Sequence, residues 1–188
     1  AAVNPDNALY SSDFRAPERL FSLLMQAAGR AGRDETVVNQ SEMWLQTFLP
    51  THPLYEALKK HDYPAFADSQ LKERQQAAMP PFSFQALVRA EARSQEVAQG
   101  FLNLASQAAA AQSDTADLLT QVTLYPAVPM SMARIANIER AQMLVESPSR
   151  AALLRFLSAW QGVLHTTRAS PECKGVIRWA IDVDPLNI

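Results

Sequence analysis

From residue 82 to residue 183 the apolar residues switch between two periods in a fixed order. That order limits the folds open to the chain. A period of two puts alternate side chains on opposite faces of a strand, and a period near 3.6 puts them in one stripe on a helix. Phe82, Phe84, Ala86, Val88 and Ala90 alternate, which predicts a strand. Residues 95–111 are alanine-rich, with Val97, Phe101, Leu104 and Ala108 on one side, which predicts a helix. Residues 112–115 read as a loop, and residues 121–125 as a second strand stopped by Pro126. Residues 134–146 read as a third strand with Ala141, Met143 and Val145 on one face. Ser147 then suits a helix cap and Pro148 the first helical position. Leu153, Phe156, Leu157, Trp160, Val163 and Leu164 make the stripe of the helix that follows. Residues 175–183 close the series as a strand with Ile177, Trp179, Ile181 and Val183 on one face. The order β-α-β-β-α-β predicts an α+β fold in which two helices cover one face of a four-stranded antiparallel sheet. This is the ferredoxin-like arrangement.

The first eighty residues follow a different plan. Residues 17–33 predict an amphipathic helix with Pro17 near its first turn, and residues 43–48 a strand. Pro50, Pro53 and Pro64 punctuate residues 50–79, which read as a connector of short helices anchored by Tyr55, Leu58, Tyr63 and Phe66. Met79-Pro80-Pro81 marks a boundary, because paired prolines stop helices. The expected parts are therefore 1–49, 50–79 and 80–188. With 188 residues, 48% of them hydrophobic, the chain can bury one good core or two small ones. No apolar run approaches the 18 or so residues of a membrane span, and the polar first fifteen residues do not read as a signal peptide. The single cysteine, Cys173, excludes an internal disulfide framework and is compatible with a reducing cytoplasm. His52, His61 and His165 are too scattered to predict a metal site with it.

A net charge of −2 excludes nucleic-acid binding driven by bulk electrostatics. Charge is uneven, with seven basic residues against five acidic ones from 131 to 188. Arginine outnumbers lysine 13 to 4, which favours directional pairing over diffuse attraction.

The octet Gln26-Ala-Ala-Gly29-Arg30-Ala-Gly32-Arg33 holds two of the five glycines. Its arginines are three residues apart, so a helix presents both on one face. Guanidinium forks bind phosphate bidentately and keep their charge, as an arginine finger in phosphoryl transfer requires. The octet resembles the last conserved motif of superfamily-two helicases. Upstream stands Asp13-Phe14-Arg15-Ala16-Pro17-Glu18-Arg19. Downstream come Leu45-Gln46-Thr47, His52-Pro53-Leu54, Pro80-Pro81-Phe82, Glu139-Arg140-Ala141-Gln142 and Asp182-Val183-Asp184-Pro185. Taken together, these segments resemble the PriA family of bacterial replication-restart helicases, also called primosomal protein N-prime, over nearly the whole chain.

That resemblance implies the C-terminal portion of an ATP-dependent DNA helicase that acts at stalled forks and assembles the primosome. The portion would comprise the end of the second motor lobe and a C-terminal domain similar in fold to a small ribosomal-subunit protein. Such a helicase binds ATP and magnesium through a phosphate loop and an Asp-Glu pair, and zinc through a cysteine-rich module. This chain has no Gly-Lys dipeptide and one cysteine, so ATP, magnesium and zinc are expected in the intact parent and not here. The chain by itself is expected to hydrolyse no ATP. By resemblance, Gln26, Gly29, Arg30, Gly32 and Arg33 line the cleft between motor lobes, with Arg30 and Arg33 meeting the γ-phosphate. Asp13 and Arg15 belong to the preceding motif region. The C-terminal domain is expected to dock the acidic tail of single-stranded DNA-binding protein and to help bind forked or single-stranded DNA among the other primosome proteins.

Within that domain, Arg150 falls at the third helical position after Ser147. Arginine beside a helix N-terminus makes an anion site. The alternative is a surface arginine paired with Glu146. Leu154, one turn on, would line an apolar slot for the end of a peptide. Arg134, placed in a loop, and Arg140 with Gln142 on the strand 134–146 would offer a polar face to DNA. The alternative for Arg140 is an ion pair with Glu91 or Asp182. Asp182 and Asp184, with Arg178 nearby, suit salt bridging better than a metal. A different class of reading also stands: a free-standing ferredoxin-like interaction module without motor activity. A small phosphatase on the same fold would need an anion-cradling glycine loop, which Arg134 and Asn137 lack.

Overall fold

Asp6 organises the first part of the molecule. It lies in a 3-10 turn, Pro5–Ala8, and is 3% exposed. Its carboxylate accepts hydrogen bonds from Thr47 Oγ1 at 2.6 Å, the Phe48 N–H at 2.8 Å and the Tyr55 hydroxyl at 2.6 Å. A buried carboxylate needs such partners, and these come from segments more than forty residues away. The computed structural model describes residues 2–11, 13–31 and 42–186. The chain divides into two compact units at Ala77/Ala78.

In the first unit, β1 (Ala2–Val3) pairs in parallel with β2 (Leu45–Gln46). The strand expected over 43–48 is two residues long among the described residues. Helix α1 (Ala16–Ala31) follows the expected amphipathic pattern. The connector forms α2 (Pro53–Lys59) and α3 (Tyr63–Gln76). His52 caps α2 by accepting the Leu54 N–H on Nδ1 at 3.2 Å, and Asp62 caps α3 by accepting the Ala65 N–H at 3.0 Å. Phe21 and Leu24 of α1 share one core with Leu54, Tyr55, Ala57, Leu58 and Phe66. Phe21 and Phe66 stack with ring centres 4.1 Å apart. Tyr63 does not anchor the connector as expected: it is 60% exposed at the edge of that core.

The second unit is α+β, with an antiparallel sheet. Strand β3 (Phe84–Ala92) lies between β6 (Ile138–Ser147) and β7 (Val176–Val183), and β6 also pairs with β4 (Thr123–Leu124) and β5 (Val128–Ile135). Every pairing is antiparallel. The sheet thus has five strands, not the expected four, because the second strand is split in two along one edge of β6. The strand expected over 134–146 is broken by a hairpin turn at Ala136 and Asn137, both at positive φ. The loop expected over 112–115 is instead the cap and body of α5 (Ser113–Ala116), and a 3-10 turn, Asp117–Gln121, takes the place expected for the start of the second strand.

Helices α4 (Gln95–Ala111) and α6 (Arg150–Arg168) pack on one face of the sheet. Ala86, Val88, Ala90, Ala141, Met143 and Val145 come from the strands, and Phe101, Leu102, Phe156 and Trp160 from the helices. Trp160 Nε1 donates to the Ala105 carbonyl at 2.9 Å, so the largest core side chain leaves no buried donor unpaired. The buried stripe of α4 runs through Ala98, Phe101, Leu102, Ala105 and Ala109, and Leu104 is exposed. A bulge between Glu91 and Ala92 shifts the start of β7, so Val176 enters the core and Ile177 faces out. The cap of α6 is Ser149, whose hydroxyl accepts the Ala152 N–H at 3.3 Å. Ser147 accepts the Ser149 N–H and donates to the Gln121 carbonyl. The helix therefore starts later than the sequence suggests, and Arg150 is its first residue.

Candidate functional site

Helix α1 is buried on one side of its first half, and its described residues beyond Leu24 are exposed or half-buried. Phe21 and Leu24 point into the core, whereas Arg19, Leu23, Gln26 and Arg30 form an exposed row at helical spacing. A shallow depression on this row is lined by Glu18, Arg19, Ser22, Leu23 and Gln26. Gly29 belongs to the same surface, and a Cβ built on it meets nothing within 4 Å. No packing within the described residues asks for glycine there. Gln26 and Arg30, four residues apart, are brought together; Gly32 and Arg33 lie outside the described residues.

The segment ahead of α1 is held by its own charges. Asp13 accepts the Arg15 N–H at 2.9 Å and pairs with the Arg19 guanidinium. Burial works against ionisation of Asp13, but the Arg19 and Arg15 hydrogen bonds outweigh it and hold its pKa below the ordinary value. Two guanidinium groups lie over the Phe14 ring, Arg15 at 5.0 Å and Arg74 at 4.8 Å from its centre. Arg74 comes from α3. Its Nη2 reaches Glu18 Oε1 at 2.6 Å and the Phe14 carbonyl at 3.1 Å. Sequence reasoning missed Arg74: it sits sixty residues from Phe14, and no local pattern marks it.

In the second unit, Arg150 pairs with Asp184 at 2.8 Å and not with Glu146. Glu146 instead accepts from the Tyr125 hydroxyl at 3.3 Å, and its charge raises the Tyr125 pKa. Leu154 is 43% exposed, one turn along α6 from Arg150. The structure thus places an arginine and an apolar side chain on one open face near a helix N-terminus.

The sheet face away from the helices carries charge. Glu91 stands opposite both Arg140 and Arg178 on the flanking strands. Arg178 binds it with two hydrogen bonds of 2.7 and 2.8 Å, and Arg140 lies 3.5 Å away. The Arg178 bond, more than the opposing burial, sets the lowered pKa of Glu91. Of the two partners open to Arg140, the structure selects Glu91; Asp182 pairs with Arg89 at 3.0 Å. Arg134 and Arg140 are not one surface. Arg134 is paired opposite Glu139 across the hairpin, so strand alternation puts it on the other face from Arg140. It contacts Glu139 at 3.4 Å and donates to Asn137 Oδ1 at 2.7 Å. Among the described residues no three His, Cys, Asp or Glu side chains cluster to hold a metal. No helix among them is long and apolar enough to cross a membrane.

Over all 188 residues the chain is 37% identical to the replication restart protein PriA of Haemophilus influenzae, covering 24% of that protein. It is 33% identical over 186 residues to the PriA of Synechocystis, 99% of this chain and 20% of that protein. For the PriA of Bacillus subtilis the figures are 36% over 86 residues, 46% of this chain and 10% of that protein. The chain spans about a quarter or less of the length of these relatives. The family model described as the primosomal protein N C-terminal domain matches residues 75–186, from the end of α3 through the last strand. That match takes in the whole five-stranded sheet with both of its helices, and the chain belongs to this family.

Proposed function

We propose that this chain is the C-terminal part of an ATP-dependent DNA helicase that restarts stalled replication forks and assembles the primosome. Residues 1–49 end the second motor lobe, residues 50–79 are the connector and residues 80–188 are a docking domain. The sheet order, with β4 and β5 beside β6, then β3, then β7, supports a ferredoxin-like topology with a split second strand.

The observation that carries the motor reading is the exposed row on α1. A helical glycine costs about 1 kcal/mol relative to alanine, and Gly29 has no packing reason for it among the described residues. Glycine beside Arg30 leaves room for a phosphate to approach the helix. Arg30, with Arg33, meets the γ-phosphate of ATP bound by the other lobe, and Gln26 senses it. The arginines stabilise charge as it develops in the transition state. On this reading ATP, magnesium and zinc are held by other parts of the intact parent.

The second unit docks. Arg150 takes the carboxylate end of the acidic tail of single-stranded DNA-binding protein, and Leu154 takes its apolar side chain. Arg134 and Arg140 act as separate contacts to DNA, one on each face of the sheet. The motor reading is tested by DNA-stimulated ATP hydrolysis in the full-length protein. Arg30→Ala is expected to lower kcat by at least about a hundredfold with the KM for ATP little changed. An unchanged kcat removes the arginine-finger role.

A further inference from the structure

Among the described residues, helix α1 is anchored through its first half. Its fully buried residues, Ala16, Phe21 and Leu24, all lie in its first nine positions. Beyond Met25, packed at the rim of the core, no described residue of α1 is fully buried. Arg30 lies six residues beyond the last of these buried positions. It is twelve residues past Glu18, about 18 Å at 1.5 Å per residue, so a tilt of about 5° at the anchored end moves it by about 1.5 Å. Misplacing a catalytic group by about 1 Å can cost about a hundredfold in rate.

One side chain from outside the helix grips that anchored end. Arg74 of α3 is only 11% exposed along its side chain, and its guanidinium makes three contacts with residues 14–18. Nη2 bonds Glu18 at 2.6 Å in the first turn of α1 and the Phe14 carbonyl at 3.1 Å, and the plane lies over the Phe14 ring. Its buried Nε has no acceptor. A side chain held in spite of an unpaired donor is held by the rest of the grip. Lysine cannot reproduce this, because an ammonium has no flat face to stack and no second arm to fork.

We propose that Arg74 is a positioning residue for the phosphate-facing arginine of α1. It fixes the tilt of the helix through Phe14 and Glu18, and so the placement of Arg30. This rests on the reading of Arg30 as an arginine finger. The connector helix thereby does more than link two units: it sets the aim of a residue in the motor.

The test compares DNA-stimulated ATP hydrolysis of the full-length protein as wild type, Arg74→Met, Arg74→Lys, Arg30→Ala and the Arg74→Met/Arg30→Ala pair. Arg74→Met is expected to lower kcat at least tenfold with the KM for ATP within about twofold. Arg74→Lys is expected to recover less than half of the loss. The double variant is expected to be no slower than Arg30→Ala alone, because Arg74 acts through Arg30. Losses that multiply in the double variant, or a wild-type kcat for Arg74→Met, overturn the positioning role while leaving the finger in place. A wild-type kcat for Arg30→Ala overturns both. Glu18→Gln, which keeps the Phe14 contacts, gives the same reading with a smaller loss if Arg74→Met does not fold.

Discussion

The Arg150 guanidinium lies 2.8 Å from the carboxylate of Asp184, joining the first residue of α6 to the residue that follows β7. The two side chains are 57% and 43% exposed. An ion pair this open contributes at most about 1 kcal/mol and exchanges readily for another anion. An incoming carboxylate therefore competes with Asp184 for Arg150. Asp184→Asn is expected to tighten binding of an acidic-tail peptide up to about fivefold at low salt. Asparagine tolerates the positive φ of 54° at this position, so the backbone should hold. Anisotropy titrations of a labelled peptide at two salt concentrations measure the change; weaker binding by the variant counts against Arg150 as the docking group.

The carboxylate of Asp6 gives the first unit a pH signature. Hydrogen bonds from Thr47, then Tyr55, hold its pKa below the ordinary value of 3.8. A depressed folded pKa stabilises the protein above the unfolded pKa and is lost as pH falls through the folded one. Tyr55 behaves in the opposite sense. Burial, then its bond to Asp6, pushes its pKa up to about 12. Its contribution is complete below the unfolded value near 10 and is lost as pH rises through about 12. Urea midpoints are expected to fall for Asp6→Asn at pH 7, and the gap to wild type should close below about pH 4. Tyr55→Phe should lack the alkaline loss that wild type shows. A gap for Asp6→Asn that stays constant down to pH 3 contradicts the assignment.

Gly29 separates stability from function. Alanine there meets no neighbour within 4 Å. Gly29→Ala is expected to stabilise the chain by about 0.5–1 kcal/mol and to slow ATP hydrolysis severalfold in the full-length protein. Calorimetry and steady-state kinetics on the same variant measure both. Higher stability with undiminished hydrolysis means that no phosphate approaches the helix at this point.

Much of the second unit was legible in the sequence because alternation and helical stripes are strong where one face is fully buried. Strand β3, the second half of β6 and the stripe of helix α6 follow the pattern closely. The misses have local physical causes. The hairpin at Ala136 and Asn137 has positive φ without glycine, so the usual turn signal is missing. The stripe of α4 was rotated by one position because alanines supply most of its buried face and mark no edge. Two serines compete as the cap of α6, and Ser147 is committed to the Gln121 carbonyl. The site was less legible than the fold. Helical spacing places Gln26 and Arg30 together, but the partners of Arg150, Arg140 and Asp13 depend on packing. The Phe14–Arg74 contact spans sixty residues of sequence.

On its own, this chain is expected to dock and not to hydrolyse. The most direct measurement is fluorescence anisotropy of a labelled peptide carrying the acidic tail of single-stranded DNA-binding protein, titrated with the wild-type chain and with Arg150→Glu. The expected result is saturable binding by wild type and at least a tenfold loss in the variant, since an acidic residue at that helix start repels the carboxylate. Equal binding by both folded proteins would contradict the claim that Arg150 and Leu154 form the docking site.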